Sequence, residues 1–231
     1  MRAWIMLLGG IAFAGAAFAQ NAQQDKLKAI QADPAALKTA IDGGRKVSSF
    51  CVNCHGDDGI SKTPEVPNLG GQNPACLLEQ IRQFGNGERV NPFMQGLIKV
   101  LKEEERINIA LFYGSFNVPP GKADASQVAR GKELFAKLCV RCHGEQARGD
   151  ATIARLAGQQ VPYLQTSIMR YGDNTGVHNN QLMSIATATL KNDDIKAIAN
   201  YLTQLPLLEA AFSACRSAKL TDVMVTSGAR G

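Results

Sequence analysis

Large aromatic side chains and histidines are scarce in this chain. Its 231 residues include 9 Phe, 4 Tyr, 1 Trp and 3 His. Trp4 and two of the phenylalanines lie within the first 19 residues, so the rest of the chain is poorer still. A length of 231 residues allows one large domain or two small ones, and small domains with so few large side chains have difficulty filling a core with protein alone. The scarcity indicates that something other than side chains fills the interior.

The chain also lacks a strong net charge and, beyond its N-terminus, any long apolar run. The formal charge of +5 is small and dispersed, so no nucleic-acid partner is expected. Residues 1–19 combine a basic Arg2, an apolar run and the small residues of a cleavage site at 17–19 (AFA). They predict a secretory signal peptide. A retained membrane anchor is the alternative, although the run is slightly short for a span and rich in Ala and Gly.

What the chain does contain is an internal duplication. Residues 51–56 (CVNCHG) recur as 139–144 (CVRCHG), 88 positions later. The LGGQ at 69–72 returns as LAGQ at 156–159, displaced by 87, and further matches follow in the same order. Tandem duplication explains the preserved order.

A segment rich in Pro and Gly, 118–126, separates the two units. The predicted organisation is a signal peptide (1–19), a first domain with an N-terminal extension (20–119), a second domain (120–207) and a C-terminal tail (208–231).

Helix caps and helical periodicity, without sustained period-2 alternation, predict an all-α fold. The Asp-Pro pair at 33–34 begins one helix, which is expected to end near Asp42 because two glycines follow at 43–44. The run at 192–194 (NDD) is expected to cap the last helix of the second unit.

The repeated segment carries a Cys-x-x-Cys-His motif, the attachment signature of c-type haem. Two cysteines one helical turn apart can form thioethers to the porphyrin vinyl groups, and the adjacent histidine then lies under the iron. The predicted covalent attachment residues are Cys51, Cys54, Cys139 and Cys142, and the predicted proximal iron ligands are His55 and His143. A zinc site would place its second Cys pair about 15–20 residues away, and a thioredoxin-like pair would need a strand–helix pattern that is absent.

The sixth iron ligand decides between electron transfer and catalysis, because a site that activates oxygen or peroxide leaves one position open. Met94 and Met183 stand at matching places, 39 and 40 residues after the histidines, each expected in a loop before its unit's last helix. We predict that they are the sixth ligands. His178 aligns with Arg89, which cannot ligate iron, so His178 is interpreted as a surface residue.

Backbone carbonyls are expected to orient the two proximal histidines. An axial histidine usually donates its far ring N–H to such a carbonyl, which raises the basicity of the ring. Pro67 is the expected acceptor in the first unit, and Ala154 holds the matching position in the second. A proline that only shapes its loop is the alternative for Pro67.

At these residues the chain resembles the class I cytochromes c, and as a duplicated whole it is similar to the dihaem cytochrome c4 family. The likeness rests on the haem motifs, the LGGQ and LAGQ segments and the methionine regions NPFMQGLIKVLK and NNQLMSIATATLKNDDIKAIANYL, and it covers about residues 40–207. It implies two tandem class I cytochrome c domains, each wrapped around a covalently bound haem c with histidine and methionine ligands.

The resemblance also implies a periplasmic electron carrier. Its expected donor is quinol–cytochrome c reductase, and its expected acceptor is a terminal oxidase or another reductase. It should meet membrane complexes only peripherally and is expected to be a monomer.

The chain departs from the family pattern at several positions. Ala154 replaces the family's usual proline, and Cys76 and Cys215 are left over after the haem cysteines. An oxidising compartment would allow these two to form a disulfide that ties the tail to the first domain. Alternatively, Cys76 is a small buried residue and Cys215 a free or intermolecular thiol.

Two other functions remain open. A dihaem subunit that accepts electrons from a periplasmic flavin- or quinone-dependent dehydrogenase would use the N-terminal extension and the tail for docking. A small dihaem peroxidase would need an open iron position, against which the matched methionines argue. The first unit has 11 basic and 11 acidic residues and the second has 10 and 7. Either this asymmetry makes partners dock differently at the two ends, or it is incidental surface composition.

Overall fold

A computed structural model describes residues 22–173, 175, 177 and 180–207, and these form helices and loops with no strand among them. The predicted all-α class is therefore confirmed. The chain is helical over 22–32 (α1). The next five helices are α2 (Pro34–Val47), α3 (Val52–His55), α4 (Pro74–Asn86), α5 (Pro92–Lys99) and α6 (Glu103–Gly114). The following five repeat this order as α7 (Ala125–Leu138), α8 (Val140–His143), α9 (Val161–Gly172), α10 (Gln181–Thr187) and α11 (Asn192–Thr203).

Several predicted features lie outside the described residues. They are the signal peptide at 1–19, the tail at 208–231 with Cys215, and His178. Within the described ranges, no helix is both long and apolar enough to cross a membrane.

Helix α2 begins as predicted but ends later than predicted. The Asp33 carboxylate accepts the N–H groups of Ala35 and Ala36 at 2.8 and 3.2 Å, which caps the first turn. The expected end near Asp42 is wrong, because α2 continues through the glycine pair to Val47. Tertiary packing is the reason, since α2 crosses α6 at these glycines and tertiary contacts override weak helix propensity.

In both domains the crossing of the first and last helix requires a glycine. A Cβ on Gly44 would lie 2.2 Å from the Asn108 carbonyl oxygen of α6. A Cβ on Gly131 of α7 would lie 2.0 Å from the Ala197 carbonyl oxygen of α11. Each glycine therefore allows the first and last helix of its domain to approach closely.

The cap of α11 also differs in detail from the prediction. The helix begins at Asn192, but its N-cap is Lys191, whose N–H donates to the Asp194 carboxylate at 3.1 Å. The first domain repeats this arrangement, where the N–H of Lys102 donates to Glu105 at 2.7 Å. In each domain a single acidic side chain accepts the N–H of the N-cap residue. The whole 192–194 run is not needed to cap the helix.

Each domain has its own apolar core around this crossing. Phe112 and Tyr113 pack with ring centroids 5.0 Å apart in the first domain, and Phe135 and Tyr201 with centroids 5.5 Å apart in the second. Helix α1 adds Leu27, which is fully buried in the first core. The described part of the N-terminal extension therefore belongs structurally to the first domain.

The two domains meet through the loops that follow their haem motifs. The Asn73 amide donates to the carbonyls of Arg148 and Ile153, both at 3.2 Å. The Gln160 amide donates to the carbonyl of Ser61 at 2.8 Å. These contacts bring the two loops that carry Pro67 and Ala154 against each other.

Candidate haem sites

Each Cys-x-x-Cys-His motif forms a single helical turn. In the first domain the N–H groups of Cys54 and His55 donate to the Cys51 carbonyl at 3.2 and 3.0 Å. The second domain repeats these hydrogen bonds at Cys139, again at 3.2 and 3.0 Å. In both turns the first cysteine is half-buried and the second is exposed, and all four thiols are free. Two thiols are thereby presented one turn apart, as thioether formation requires.

A glycine ends each of these turns in the left-handed region. Gly56 has φ of +79° and Gly144 has φ of +75°. At Gly56 a Cβ would also lie 2.2 Å from the Ile60 carbonyl oxygen. A positive φ at this position favours glycine, which has no Cβ.

The two histidines are buried and oriented in the same way. His55 is 8% exposed and His143 is 7% exposed. Nδ1 of His55 lies 3.0 Å from the carbonyl oxygen of Pro67, and Nδ1 of His143 lies 3.0 Å from that of Ala154. When Nδ1 donates to the carbonyl, Nε2 is left as the unprotonated nitrogen that can bind a metal. Ala154, at the position that matches Pro67, holds its carbonyl at the same distance.

Burial also sets the protonation of the site. It lowers the pKa of His55 and of His143, although the carbonyl acceptors act in the opposite direction. Both rings are thus neutral at pH 7, and a neutral ring is the form that ligates iron. Burial raises the pKa of the Cys51 thiol and raises that of Cys139 to about 11.

The two methionines lie in helices, so their predicted location in loops is wrong. Met94 is the third residue of α5 and Met183 is the third residue of α10. The side chains of Asn91 and Asn180 accept the N–H of these methionines, each at 3.0 Å, and so cap the helices. Both methionines are half-buried, and Met94 packs against the first core, as Cys51 does. Their role as iron ligands stays a prediction.

The residues at both sites fit a covalently bound haem c. Each site offers two thiols one turn apart and a buried histidine with Nδ1 already engaged. In addition, Nε of Arg155 is buried with no hydrogen-bond partner among the described residues. Arg155 adjoins Ala154, so this donor lies beside the loop that orients His143 and could serve an acidic group of a bound porphyrin.

The polar residues that join the domains here were not predicted from the sequence. The Arg155 guanidinium is 2% exposed and donates to the carbonyls of Gly70 at 3.0 Å, Asn68 at 3.3 Å and Ala157. Burial lowers the pKa of Arg155 to about 10, so it keeps its charge at pH 7. Gln72 and Gln159 complete the network. The available signal was the recurrence of one glutamine in the LGGQ and LAGQ segments.

Cys76 is buried on α4, with 4% of its surface exposed. Burial raises the pKa of its thiol to about 11. Because Cys215 lies outside the described residues, the disulfide between these two stays a prediction.

Comparison with known proteins agrees with this geometry. The Cytochrome c family model matches residues 128–206. Cytochrome c4 of Pseudomonas aeruginosa is 33% identical over 174 residues, which cover 70% of this chain and 87% of the relative. The thiosulfate dehydrogenase electron acceptor of Stutzerimonas stutzeri is 27% identical over 177 residues, which cover 71% of this chain and 82% of the relative.

Solved structures show the same likeness. Reduced recombinant cytochrome c4 from Pseudomonas stutzeri superposes with a TM-score of 0.66 at 26% identity, covering 71% of this chain and 97% of that one. The predicted pair of tandem class I cytochrome c domains is confirmed. So are two covalently bound haem c groups and a role in electron transfer with redox protein partners.

Proposed function

The chain belongs to the cytochrome c4 family, and we propose that it carries electrons in the periplasm from quinol–cytochrome c reductase to a terminal oxidase or another reductase. The observation that carries the proposal is the matched pair of sites. In each domain a buried histidine faces a backbone carbonyl at 3.0 Å, and a half-buried methionine stands third in a capped helix. Ligands held on both sides of an iron suit electron transfer, because little rearrangement accompanies a change of oxidation state.

The ligand assignment is part of the proposal. The thioether cysteines are Cys51 and Cys54 in the first domain and Cys139 and Cys142 in the second, and the axial pairs are His55 with Met94 and His143 with Met183. Bound in this way, the haem iron supplies a one-electron ferric–ferrous couple whose potential is raised by a thioether ligand and a dry pocket. The carbonyls of Pro67 and Ala154 fix the histidine rings, and the caps of α5 and α10 fix the backbone at the methionines.

Exposed apolar side chains beside both sites support docking to redox partners. Phe93 is 58% exposed and Leu182 is 74% exposed, and each directly precedes one of the methionines. Phe50, 56% exposed, directly precedes Cys51. Redox encounters use small and transient interfaces, to which such exposed apolar side chains can contribute. The positive balance of the second domain favours acidic partners there, whereas the first domain is balanced.

A relative's name favours a second candidate function. The similar protein from Stutzerimonas stutzeri is a thiosulfate dehydrogenase electron acceptor, so this chain could accept electrons directly from a periplasmic dehydrogenase. A peroxidase activity is a third, minor candidate and would require that Met94 or Met183 leave its iron.

The distinguishing experiment uses the purified holoprotein. Under the carrier proposal, the reduced protein elutes as a monomer and is oxidised rapidly by membranes that contain a terminal oxidase. The protein should turn over peroxide no faster than a control cytochrome c that has no peroxidase activity. A dehydrogenase that co-purifies stably, together with slow oxidation by membranes, would replace the carrier proposal with the subunit function.

A further inference from the structure

One peptide group in the first domain connects its histidine to the second domain. The carbonyl of Pro67 faces Nδ1 of His55 at 3.0 Å. The N–H of the same peptide group belongs to Asn68, and it donates to Oε1 of Gln159 at 2.8 Å. His55 and Gln159 therefore lie at opposite ends of a continuous chain of two hydrogen bonds.

The second domain repeats this arrangement with the partners exchanged. The carbonyl of Ala154 faces Nδ1 of His143 at 3.0 Å, and the N–H of Arg155 donates to Oε1 of Gln72 at 2.7 Å. Residues 68 and 155, like residues 72 and 159, are 87 positions apart, so the exchange follows the duplication.

Each glutamine is held in place by a second hydrogen bond. Nε2 of Gln159 donates to the Asn68 carbonyl at 3.0 Å, and Nε2 of Gln72 donates to the Arg155 carbonyl at 3.0 Å. Both side chains are buried, with 3% of Gln159 and 9% of Gln72 exposed. The amide oxygens are thus fixed toward the peptide N–H groups and shielded from water, which would weaken their effect.

We propose that Gln72 and Gln159 are positioning residues that make the reduction potential of each haem depend on a glutamine of the opposite domain. The inference rests on the proposed function, since it requires His55 and His143 to ligate iron. An acceptor on the N–H of a peptide group makes its carbonyl oxygen more electron-rich, because hydrogen bonds in a chain polarise one another. That carbonyl then draws more strongly on the histidine Nδ1–H, and the more basic ring stabilises ferric iron. Each glutamine consequently lowers the potential of the haem in the other domain.

The sign and specificity of the effect follow directly. In Gln159→Met the acceptor is lost, so the first-domain haem should be reduced more readily while the second-domain haem is unchanged. Because cooperative strengthening is only ~10–30% per bond, we expect a modest change of about threefold in the reduction equilibrium. At 59 mV per tenfold change for a one-electron couple, threefold is about 28 mV upward. Gln72→Met should raise only the second-domain haem.

Gln160 provides a matched control. It is the neighbouring glutamine and also crosses the interface, donating to the Ser61 carbonyl at 2.8 Å, but it does not contact the 67–68 peptide group. Gln160→Met should leave both potentials within experimental error. Gln159→Glu keeps an acceptor and adds negative charge, so it should lower the first-domain potential.

The test is a spectroelectrochemical titration of the holoproteins. Each potential is assigned to its domain from the haem-shifted NMR signals of the two methionine methyl groups. Crossed shifts of opposite sign for the Met and Glu variants support the proposal. Four results would overturn it. The potentials of both haems could shift equally, the potential could shift only in the glutamine's own domain, neither potential could shift, or Gln160→Met could produce the same shift. If the Met variants do not fold, the Glu variant decides: a lower potential of the first-domain haem alone supports the proposal, and an equal fall at both haems, which added charge produces without any coupling, overturns it.

The failure of this inference is distinguishable from the failure of the proposed function. Two low-spin haems with methionine signals in the unaltered protein, but no crossed shifts in the variants, would contradict the coupling only. An unaltered protein without those signals would contradict the ligand assignment itself.

Discussion

The crossing of the first and last helix in each domain is held so closely that adding one methyl group should destabilise the domain. In Gly44→Ala the new Cβ would lie 2.2 Å from the Asn108 carbonyl oxygen and 2.6 Å from the Cβ of Phe112. Both are atoms of α6 that no side-chain rotation can move aside. The two helices would have to separate by about 1 Å to restore ordinary contact distances.

The magnitude follows from two opposing effects. Overpacking of a well-filled core costs ~1–3 kcal/mol, and the backbone oxygen in contact here places the cost at the upper end. Alanine in a helix interior recovers about 1 kcal/mol relative to glycine. The net loss in the free energy of unfolding is about 2 kcal/mol, which for a domain of this size lowers Tm by ~8–16 °C.

The chain offers a matched control for this substitution. Gly96 lies inside α5, and a Cβ there would meet nothing within 4 Å. Its counterpart in the second domain is Ile185, which is 67% exposed. Gly96→Ala should therefore gain up to about 1 kcal/mol from helix propensity alone.

Calorimetry and guanidinium unfolding of the haem-loaded variants provide the measurement. Loss of stability in Gly44→Ala with a gain in Gly96→Ala is the expected pattern. If Gly44→Ala were as stable as the unaltered protein, the α2–α6 crossing would be looser than described.

Three further predictions concern the sites and the remaining thiol. Met94→Ala or Met183→Ala should leave the sixth position of one iron open, abolish half of the far-red methionine–iron absorption and lower the potential of one haem. An unchanged spectrum would reject that methionine as a ligand. Asn180→Ala should cost about 1 kcal/mol of stability by uncapping α10, measured by thermal unfolding, and a loss below 0.3 kcal/mol would argue against the cap. Cys76 should resist alkylation at pH 8 in the native holoprotein and react after denaturation, because burial raises its pKa from 9.0 to about 11. The neutral thiol therefore stabilises the fold below pH 9, and this contribution is lost as the pH rises through 11. Rapid alkylation at pH 8 would contradict the burial, and Cys76→Ser serves as the control for modification elsewhere.

Local sequence patterns predicted the haem chemistry well because that chemistry is local. The motif places two thiols and a histidine within one turn, and the duplication identifies the second copy without any knowledge of the fold. The caps at Asn91 and Asn180 are also local features, and an Asn three residues before each methionine is a helix start signal. The helices that contain the methionines could therefore have been predicted from the sequence.

Features that depend on distant partners could not be derived in the same way. The glycines at 43–44 follow the rule for a helix end, and only the crossing with α6 explains why the helix continues. The recurrence of a glycine at the matching position of the second unit, Gly131, was an available hint. The roles of Gln72 and Gln159 depend on how the domains dock, which no local pattern specifies.

One chain should bind two haems, each with a histidine and a methionine ligand, and each haem should take up a single electron. A spectroelectrochemical titration of the purified holoprotein, with haem content measured per chain, tests it most directly. We expect two haems per chain, two one-electron steps and a methionine–iron band from both haems in the oxidised protein. One haem per chain, or a haem that is high-spin and lacks that band, would contradict it.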